Sequence, residues 1–336
     1  MSHISSNISH YLLVTLFFLS LILGCGQGEG STESVDGPGD PTQTTTAQVT
    51  HSETFILAGD DSLYVKVVGN GHPLLLVHGG PGLSHDYFLP HMLALAGKYQ
   101  LIFYDQRASG RSSIDVDSNS VSLHGFISDM EDIRKHLDID RWSILGHSWG
   151  GLLTLHYALE YPERVARLVL VSAIPGSSEL QQEIQAIQKS RETAEDSLAK
   201  EVIMATEAFK NGEIAAYESL FKALFTAQFY DRNYADSLEL AFQPSFLEGN
   251  RKLRYLSKDV SDYDIHLALE PIKSPSLLIY GAHDPLSGDP ALLYARYLPS
   301  ADLIIIPHAG HFPFIEQKPA FFQAVTDFLA DESQDL

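Results

Sequence analysis

The sequence predicts an α/β fold in which a mainly parallel, twisted sheet is flanked by helices and carries a helical insert between two late strands. From about residue 51, short apolar runs alternate with amphipathic stretches, as in chains whose strands are joined through helices. Most of these runs are rich in leucine or β-branched residues, which is typical of strands buried on both faces. Residues 176–265 favour helix and contain no strand-like run, so they predict the insert.

The opening runs at 54–58 and 63–68 predict a hairpin, because Gly59-Asp60-Asp61 lies between them. Further strands are expected at 73–77, 100–104, 142–145, 168–171, 276–280 and 302–306, and helices at 122–137, 152–161, 291–297 and 320–330. The predicted core therefore has two parts, 51–175 and 266–336, and the helical segment 176–265 forms a cap between them.

Composition excludes several classes of function. The 336 residues include 22 Lys and Arg against 43 Asp and Glu, a net charge of −21, which repels the phosphates of nucleic acids. An apolar share of 44% is enough for a globular core. One cysteine can form neither an intrachain disulfide nor a thiolate metal site. No spaced set of His, Asp or Glu ligands stands out either, so we expect neither a metal nor a cofactor.

The N-terminal 24 residues are predicted to be an export signal. The uncharged apolar run at 11–24 is shorter than the roughly 20 residues of a membrane-spanning helix. It ends in Ile22-Leu23-Gly24-Cys25, which resembles the bacterial lipobox and implies an acylated Cys25 that anchors an exported protein to the cell membrane or outer membrane of a bacterium. The first ten residues lack the usual Lys or Arg, and a buried first helix is the alternative. Residues 25–50 are rich in Gly, Ser, Thr and Pro and predict a flexible tether.

Ser148 is the candidate nucleophile. It is the serine of a G-x-S-x-G motif, GHSWGG at 146–151, that follows the strand predicted at 142–145 and precedes a helix. Such a turn strains the backbone of the serine and pushes the side chain out of the sheet, and its glycines avoid collisions with the adjoining strand and helix. The alternative is a serine in an ordinary strand-to-helix turn.

A serine hydroxyl needs a neighbouring base, and the base needs an acid that orients it. Asp284 and His311 each follow a predicted late strand by a short loop, in the chain order Ser, acid, His. Sequence distance does not exclude Asp289 as the acid, or His308 or His283 as the base. We prefer Asp284 and His311 because Asp289 lies further from its strand and His308 lies close enough to its strand to be structural.

A glycine-rich loop at 78–82, HGGPG, follows the strand predicted at 73–77. It lets the backbone approach a ligand closely, and the N–H of Gly80 can act with that of Trp149 as an oxyanion hole. A phosphate-binding loop is the alternative, but the chain lacks both the G-K-[ST] ending and the G-x-G-x-x-G spacing.

Several motifs together resemble the proline iminopeptidase branch of the α/β-hydrolases, over about residues 51–332. They are HGGPG at 78–82, LSHDYF at 83–88, DQRASGRS at 105–112, GHSWGG at 146–151, GAHD at 281–284 and HAGH at 308–311. The resemblance implies an α/β-hydrolase fold with a helical cap and a triad of Ser148, Asp284 and His311. It also implies release of an N-terminal residue, often proline, from short peptides, although some relatives act on esters or amides.

The chain departs from that branch at two places. Ala108 stands where the family commonly has glycine, and the Trp-Glu pair that some members carry in the cap is not matched, since the only tryptophans are Trp142 and Trp149. An aminopeptidase needs carboxylates for the substrate ammonium group, and Glu239 is our candidate. We expect Asp105, Arg107 and Arg111 of DQRASGRS to form a structural ion-pair turn, and direct contact with the substrate is the alternative.

The expected partner is a short peptide or another small molecule, with the membrane engaged only through the lipid anchor. An esterase or lactonase with the same triad is the alternative enzyme. A lipid-anchored binding protein without turnover is the alternative from another class, since a fold alone does not establish function. The sequence leaves the oligomeric state open.

Overall fold

A computed structural model describes residues 51–330. The predicted export signal, Cys25 and the predicted tether lie outside the described residues, as do residues 331–336.

The core of the molecule is an eight-stranded sheet in the order β1-β2-β4-β3-β5-β6-β7-β8. Its strands are β1 His51–Ala58, β2 Asp61–Val68, β3 His72–Val77, β4 Tyr99–Tyr104, β5 Trp142–His147, β6 Val165–Val171, β7 Ser276–Gly281 and β8 Ala301–Ile306. β1 and β2 form the predicted antiparallel hairpin and β2 runs antiparallel to β4, whereas all other neighbours are parallel. Every strand predicted from the sequence lies within an observed one.

Helices connect these strands and build the insert. The α-helices are α1 Leu123–His136, α2 Trp149–Glu160, α3 Ser178–Arg191, α4 Ala194–Ala205, α5 Glu207–Lys210, α6 Ile214–Thr226, α7 Phe246–Leu253, α8 Ser257–Val260, α9 Asp289–Tyr297, α10 Pro313–Glu316 and α11 Lys318–Ala330. Short 3-10 helices occur at His85–Phe88, His91–Leu95, Pro162–Arg164, Arg232–Ser237, Arg254–Leu256, His266–Leu269 and Pro285–Ser287. α2 starts three residues before the predicted 152, directly after Ser148. The two glycines at its start therefore belong to the helix and not to the turn.

The sheet is buried on both faces, which explains its continuous apolar runs. In β3, Leu75 and Val77 belong to the apolar cluster on one face, and Leu74 and Leu76 belong to the cluster on the other. Side chains of a strand alternate between faces, so an uninterrupted apolar run fits a strand with helices on both sides.

Helices α3 to α8 lie between β6 and β7, and we call this segment the cap. It has its own small apolar cluster around Phe209, Tyr217, Leu220 and Phe246. The cap is also packed against the loop after β8, because the ring of Phe229 stacks on that of Phe312 at 4.8 Å. Within residues 51–330, no helix combines the length and the apolar character needed to span a bilayer.

Candidate active site

Ser148 occupies a strained turn between β5 and α2. Its φ of 56° and ψ of −120° are rare for a residue with a side chain. Its N–H donates to the carbonyl of Val171 at 2.9 Å, and its carbonyl accepts from the N–H of Gly151 at 3.0 Å. A Cβ at position 150 would overlap the carbonyl oxygen of Val77, so only glycine allows α2 to start this close to β3. The turn places Ser148 at the carboxyl edge of the parallel strands.

Asp284 and His311 follow β7 and β8 at the same edge. The Nδ1 of His311 lies 2.8 Å from Oδ2 of Asp284, and both side chains are buried. A carboxylate only accepts, so His311 donates through Nδ1, and the Nε2 of a neutral ring is left as a proton acceptor. Oδ1 of Asp284 accepts from the N–H of Leu286 at 3.0 Å, which fixes the carboxylate plane.

The alternative acid and one of the two alternative bases are exposed. Asp289 is exposed at the start of α9, and His308 is exposed in the loop after β8. His283 is partly buried, and its ring lies 5.7 Å from that of Tyr230. The structure therefore brings Asp284 to His311 and leaves the alternative acid on the surface.

The loop of His311 is held by the cap. The N–H of His311 donates to the carbonyl of Gln228 at 2.9 Å. Oε2 of Glu316 accepts from the N–H of Gly310 at 2.6 Å, while its Oε1 accepts from the backbone of Tyr230 at 2.9 Å. Burial raises the pKa of the Glu316 carboxyl. Glu316 was not predicted from the sequence, where its place directly after the apolar run 312–315 is the one available signal.

The glycine-rich loop lies directly beside Ser148. A Cβ added to Gly79 would come within 3.1 Å of the Cβ of Ser148, and Gly80 has a φ of 129° that a larger residue would not adopt. Trp149 is the first residue of α2, so its N–H belongs to the positive end of the helix. Gly80 therefore lines the same cavity as Ser148, and Trp149 directly follows Ser148 at the start of α2.

A cavity that is partly open to solvent lies between these residues and the cap. Gly79, Gly80, Ser148 and His311 line its floor. Cap residues Ile184, Phe221, Leu224 and Phe225 contribute apolar wall, and the ring of Phe225 also packs on that of Phe312 at 5.6 Å. Within residues 51–330, no group of three or more His, Cys, Asp or Glu side chains is arranged to hold a metal ion.

Comparison with known families decides the class of the protein. Residues 72–318 match the family described as alpha/beta hydrolase fold. The chain belongs to this family. The matched residues run from the first residue of β3 to the first residue of α11 and include the cap between β6 and β7.

The relatives of this α/β-hydrolase include peptidases and an esterase. A proline iminopeptidase of Lactobacillus delbrueckii subsp. lactis is 28% identical over 302 residues, covering 84% of this chain and 99% of the relative. The crystal structure of a proline iminopeptidase of Mycobacterium smegmatis has a TM-score of 0.64 at 21% identity, covering 83% and 98% of the two chains. An esterase from Exiguobacterium antarcticum has a TM-score of 0.58 at 20% identity, covering 83% and 100%. At such identities the two solved structures establish the shared fold.

Asp105, Arg107 and Arg111 form ion pairs in this α/β-hydrolase, and those of Asp105 and Arg107 are buried. Nε of Arg107 donates to Oδ2 of Asp129 at 2.8 Å, and Arg111 pairs with Asp86 at 2.8 Å. Asp105 accepts from Nδ1 of His85 at 2.8 Å. Neither arginine lines the cavity. The expectation of a structural ion-pair turn is confirmed.

Glu239 does not reach the cavity of the α/β-hydrolase. Its neighbours Leu238 and Leu240 are buried in the apolar cluster on one face of the sheet, and Glu239 between them is exposed. In an extended segment alternate side chains point in opposite directions, so the two leucines turn this carboxylate to solvent. The sequence choice of Glu239 as the substrate-binding acid therefore has no geometric support.

Proposed function

We propose that this α/β-hydrolase is a serine hydrolase that cleaves ester or amide bonds of small substrates through an acyl-enzyme on Ser148. The observation that carries the proposal is the buried 2.8 Å contact of Asp284 with His311, which lines the cavity floor together with Ser148 and Gly80. A base oriented by an acid beside a strained serine is the arrangement that activates a hydroxyl nucleophile.

In the proposed reaction, Nε2 of His311 takes the proton of Ser148 while the serine oxygen bonds to the substrate carbonyl carbon. The N–H groups of Gly80 and Trp149 donate to the resulting oxyanion. Asp284 stays ionised and stabilises the imidazolium of His311. His311 then gives its proton to the leaving amine or alcohol, and the acyl-enzyme forms.

Deacylation repeats the same steps with water as the nucleophile. His311 accepts a proton from the water, whose oxygen bonds to the acyl carbon of the intermediate. The proton then passes to the oxygen of Ser148, which leaves as the carboxylic acid product forms.

Two substrate classes are candidates. The names of the relatives favour release of an N-terminal residue, proline among them, from short peptides. Esters, lactones or amides with an uncharged acyl group are the second class. The wall of the cavity favours the second class, because the described residues that line it include Gln181, Gln188, Gln228 and Asn250 but no Asp or Glu.

Labelling by a fluorophosphonate tests the nucleophile. The wild-type protein is expected to react covalently and Ser148→Ala is expected not to react, whereas Ser190→Ala, which changes an exposed serine of α3, labels like the wild type. Labelling of Ser148→Ala would contradict the assignment of Ser148 as the nucleophile. Folded wild-type protein that neither labels nor turns over ester or amide substrates would favour the binding-protein alternative.

We propose in addition that the protein is exported and anchored through an acylated Cys25. The support is the apolar run at 11–24 that ends in Leu23-Gly24-Cys25, followed by a polar tether. Cys25→Ser is expected to move the protein from the membrane fraction of a bacterial host to the soluble fraction. Retention of Cys25→Ser in the membrane fraction would contradict the lipid anchor.

A further inference from the structure

The polar part of the cavity wall consists largely of neutral amide side chains. Gln181 and Gln188 extend from α3, Gln228 follows α6 and Asn250 belongs to α7. A side-chain amide offers both donors and an acceptor but carries no charge. Apart from Nδ2 of Asn250, which donates to the carbonyl of Phe246 at 3.0 Å, these groups suit hydroxyl, carbonyl and amide groups of an uncharged ligand.

One of these amides has an acceptor that is buried without a partner. Oε1 of Gln181 is inaccessible to solvent and accepts no hydrogen bond from residues 51–330. A buried polar atom without a partner costs free energy, which a ligand N–H or O–H would recover. Because Gln181 also lines the cavity, this acceptor would gain a partner if the amide turned towards an N–H or O–H of a substrate.

The ionisable side chains that line the cavity, among the described residues, are His147 and His311. Burial holds the pKa of His147 well below its usual value, so this ring is neutral. His311 becomes a cation when it takes the proton of Ser148. An ammonium group in the same cavity would repel that cation, which raises the barrier unless a carboxylate lies close by.

No Asp or Glu of the described cap residues lines the cavity. Oε1 of Glu218 accepts from the N–H of Phe242 at 2.9 Å, and Asp196 forms an ion pair with Arg232 at 2.5 Å. Glu213 and Glu239 are exposed. Neutral amides compensate the lost hydration of an ammonium group less well than a carboxylate does.

We propose that the cavity accepts acyl groups that are uncharged and carry hydrogen-bonding groups, such as N-acylated aminoacyl esters and amides, in preference to acyl groups with a free α-ammonium. The inference rests on the proposed serine-hydrolase function and names its substrate class. It assigns Gln181 as an acceptor for an N–H or O–H of the acyl part.

Matched substrate pairs test the preference. Hydrolysis of N-acetyl-alanine and alanine p-nitrophenyl esters, and of N-acetyl-proline and proline p-nitroanilides, is measured at pH 7. In each pair that is turned over, we expect kcat/KM of the acetylated substrate to exceed that of the free amine by about tenfold or more. A smaller ratio, or preference for the free amine, overturns the proposal.

Installing a carboxylate gives a second test. In Gln181→Glu the ratio of free-amine to acetylated kcat/KM is expected to rise about tenfold, because the new carboxylate pairs with the ammonium group. Gln182→Glu makes the same change on an exposed position of the same helix and is expected to leave the ratio unchanged. Gln188→Glu, on the same wall, is the second variant if Gln181→Glu does not fold.

Fluorophosphonate labelling distinguishes failure of the proposed serine-hydrolase function from failure of the proposed substrate class. Wild-type protein that does not label contradicts the serine-hydrolase function itself. Protein that labels but prefers free amines keeps that function and overturns only the substrate class. The assignment of Gln181 to the substrate-binding wall is overturned if the ratio of free-amine to acetylated kcat/KM rises equally in Gln181→Glu and Gln182→Glu. It is also overturned if that ratio rises neither in Gln181→Glu nor in Gln188→Glu.

Discussion

The hydroxyl of Tyr87 lies 2.8 Å from Nδ1 of His147, the residue before Ser148. The same hydroxyl accepts from the N–H of Gly79 at 2.6 Å, and Nε2 of His147 lies 2.9 Å from the carbonyl oxygen of His311. A carbonyl only accepts, so His147 is protonated at Nε2 and its Nδ1 accepts the proton of Tyr87. These bonds connect the glycine-rich loop, the serine turn and the loop of His311.

Removing the hydroxyl of Tyr87 is expected to weaken the contacts among the glycine-rich loop, the serine turn and the loop of His311. Tyr87→Phe leaves the buried N–H of Gly79 and Nδ1 of His147 without their partner, which costs about 1–3 kcal/mol of the free energy of unfolding. We also expect kcat to fall by about tenfold with KM little changed, since the change disturbs groups that act on the transition state. Urea unfolding and ester hydrolysis measure the two effects.

Tyr255→Phe is the control for that prediction, because Tyr255 is an exposed tyrosine of the cap. It is expected to leave both unfolding and kcat within error of the wild type. Equal behaviour of the two variants would show that the hydroxyl of Tyr87 does not hold the three loops together.

Asp284 is expected to contribute strongly to kcat, because it orients His311. Asp284→Asn keeps the shape of the side chain, but its amide donates to Nδ1 of His311. The proton of the neutral His311 ring then lies on Nε2, so Nε2 cannot accept the proton of Ser148. In an oriented Ser-His-Asp arrangement such a change lowers kcat by about 10⁴. Steady-state ester hydrolysis gives kcat, and Asp289→Asn, at the exposed alternative acid, is expected to match the wild type. A loss of less than about tenfold would mean that Asp284 does not set the tautomer of His311.

Strand ends were predictable from the sequence, because each apolar run stops where the chain leaves the sheet. Asp284 and His311 stand just beyond two such runs, and neighbouring parallel strands bring their ends to one edge. The same reasoning placed Ser148 at the end of β5. Local pattern and parallel topology together therefore account for the geometry that the structure gives to these three residues.

Contacts between distant loops were not predictable in that way. Tyr87 and His147 are 60 positions apart, and nothing in either local pattern indicates that they meet. Glu239 was chosen for its type within a helical-looking segment, but the structure has an extended stretch there in which Leu238 and Leu240 face inward. Burial of its neighbours, which depends on tertiary packing, decided where this carboxylate points.

The ion pair of Arg107 and Asp129 is expected to be structural. Asp129→Asn leaves the buried guanidinium of Arg107 without its strongest partner, which costs about 3–5 kcal/mol of the free energy of unfolding. Asp140→Asn removes an exposed partner of Arg164, a surface pair at 2.7 Å, and is expected to cost less than about 1 kcal/mol. Urea unfolding compares the variants. Similar losses of unfolding free energy in Asp129→Asn and Asp140→Asn would show that the buried pair stabilises the fold no more than the surface pair does.

His78 makes the stability of the fold depend on pH. Its ring is fully buried, accepts from the N–H of Gln106 at 3.1 Å through Nε2 and donates to the carbonyl of Gly79 at 2.8 Å through Nδ1. Burial lowers its pKa from 6.5 to about 4. Between these values the unfolded chain binds a proton at this residue and the folded chain does not, so the free energy of unfolding falls as pH falls from 6.5 towards 4.

The expected contribution of His78 is a slope of about 1.4 kcal/mol per pH unit in that window. His78→Gln removes the titrating ring, so its plot of unfolding free energy against pH is expected to be less steep by that amount, whatever its stability at pH 7. His124→Gln changes an exposed histidine and is expected to keep the wild-type slope. Urea unfolding at several pH values between 4 and 7 measures the slopes. Because a neutral buried ring is the only source of this difference, equal slopes for wild type and His78→Gln would show that the ring protonates in the folded protein as readily as in the unfolded chain.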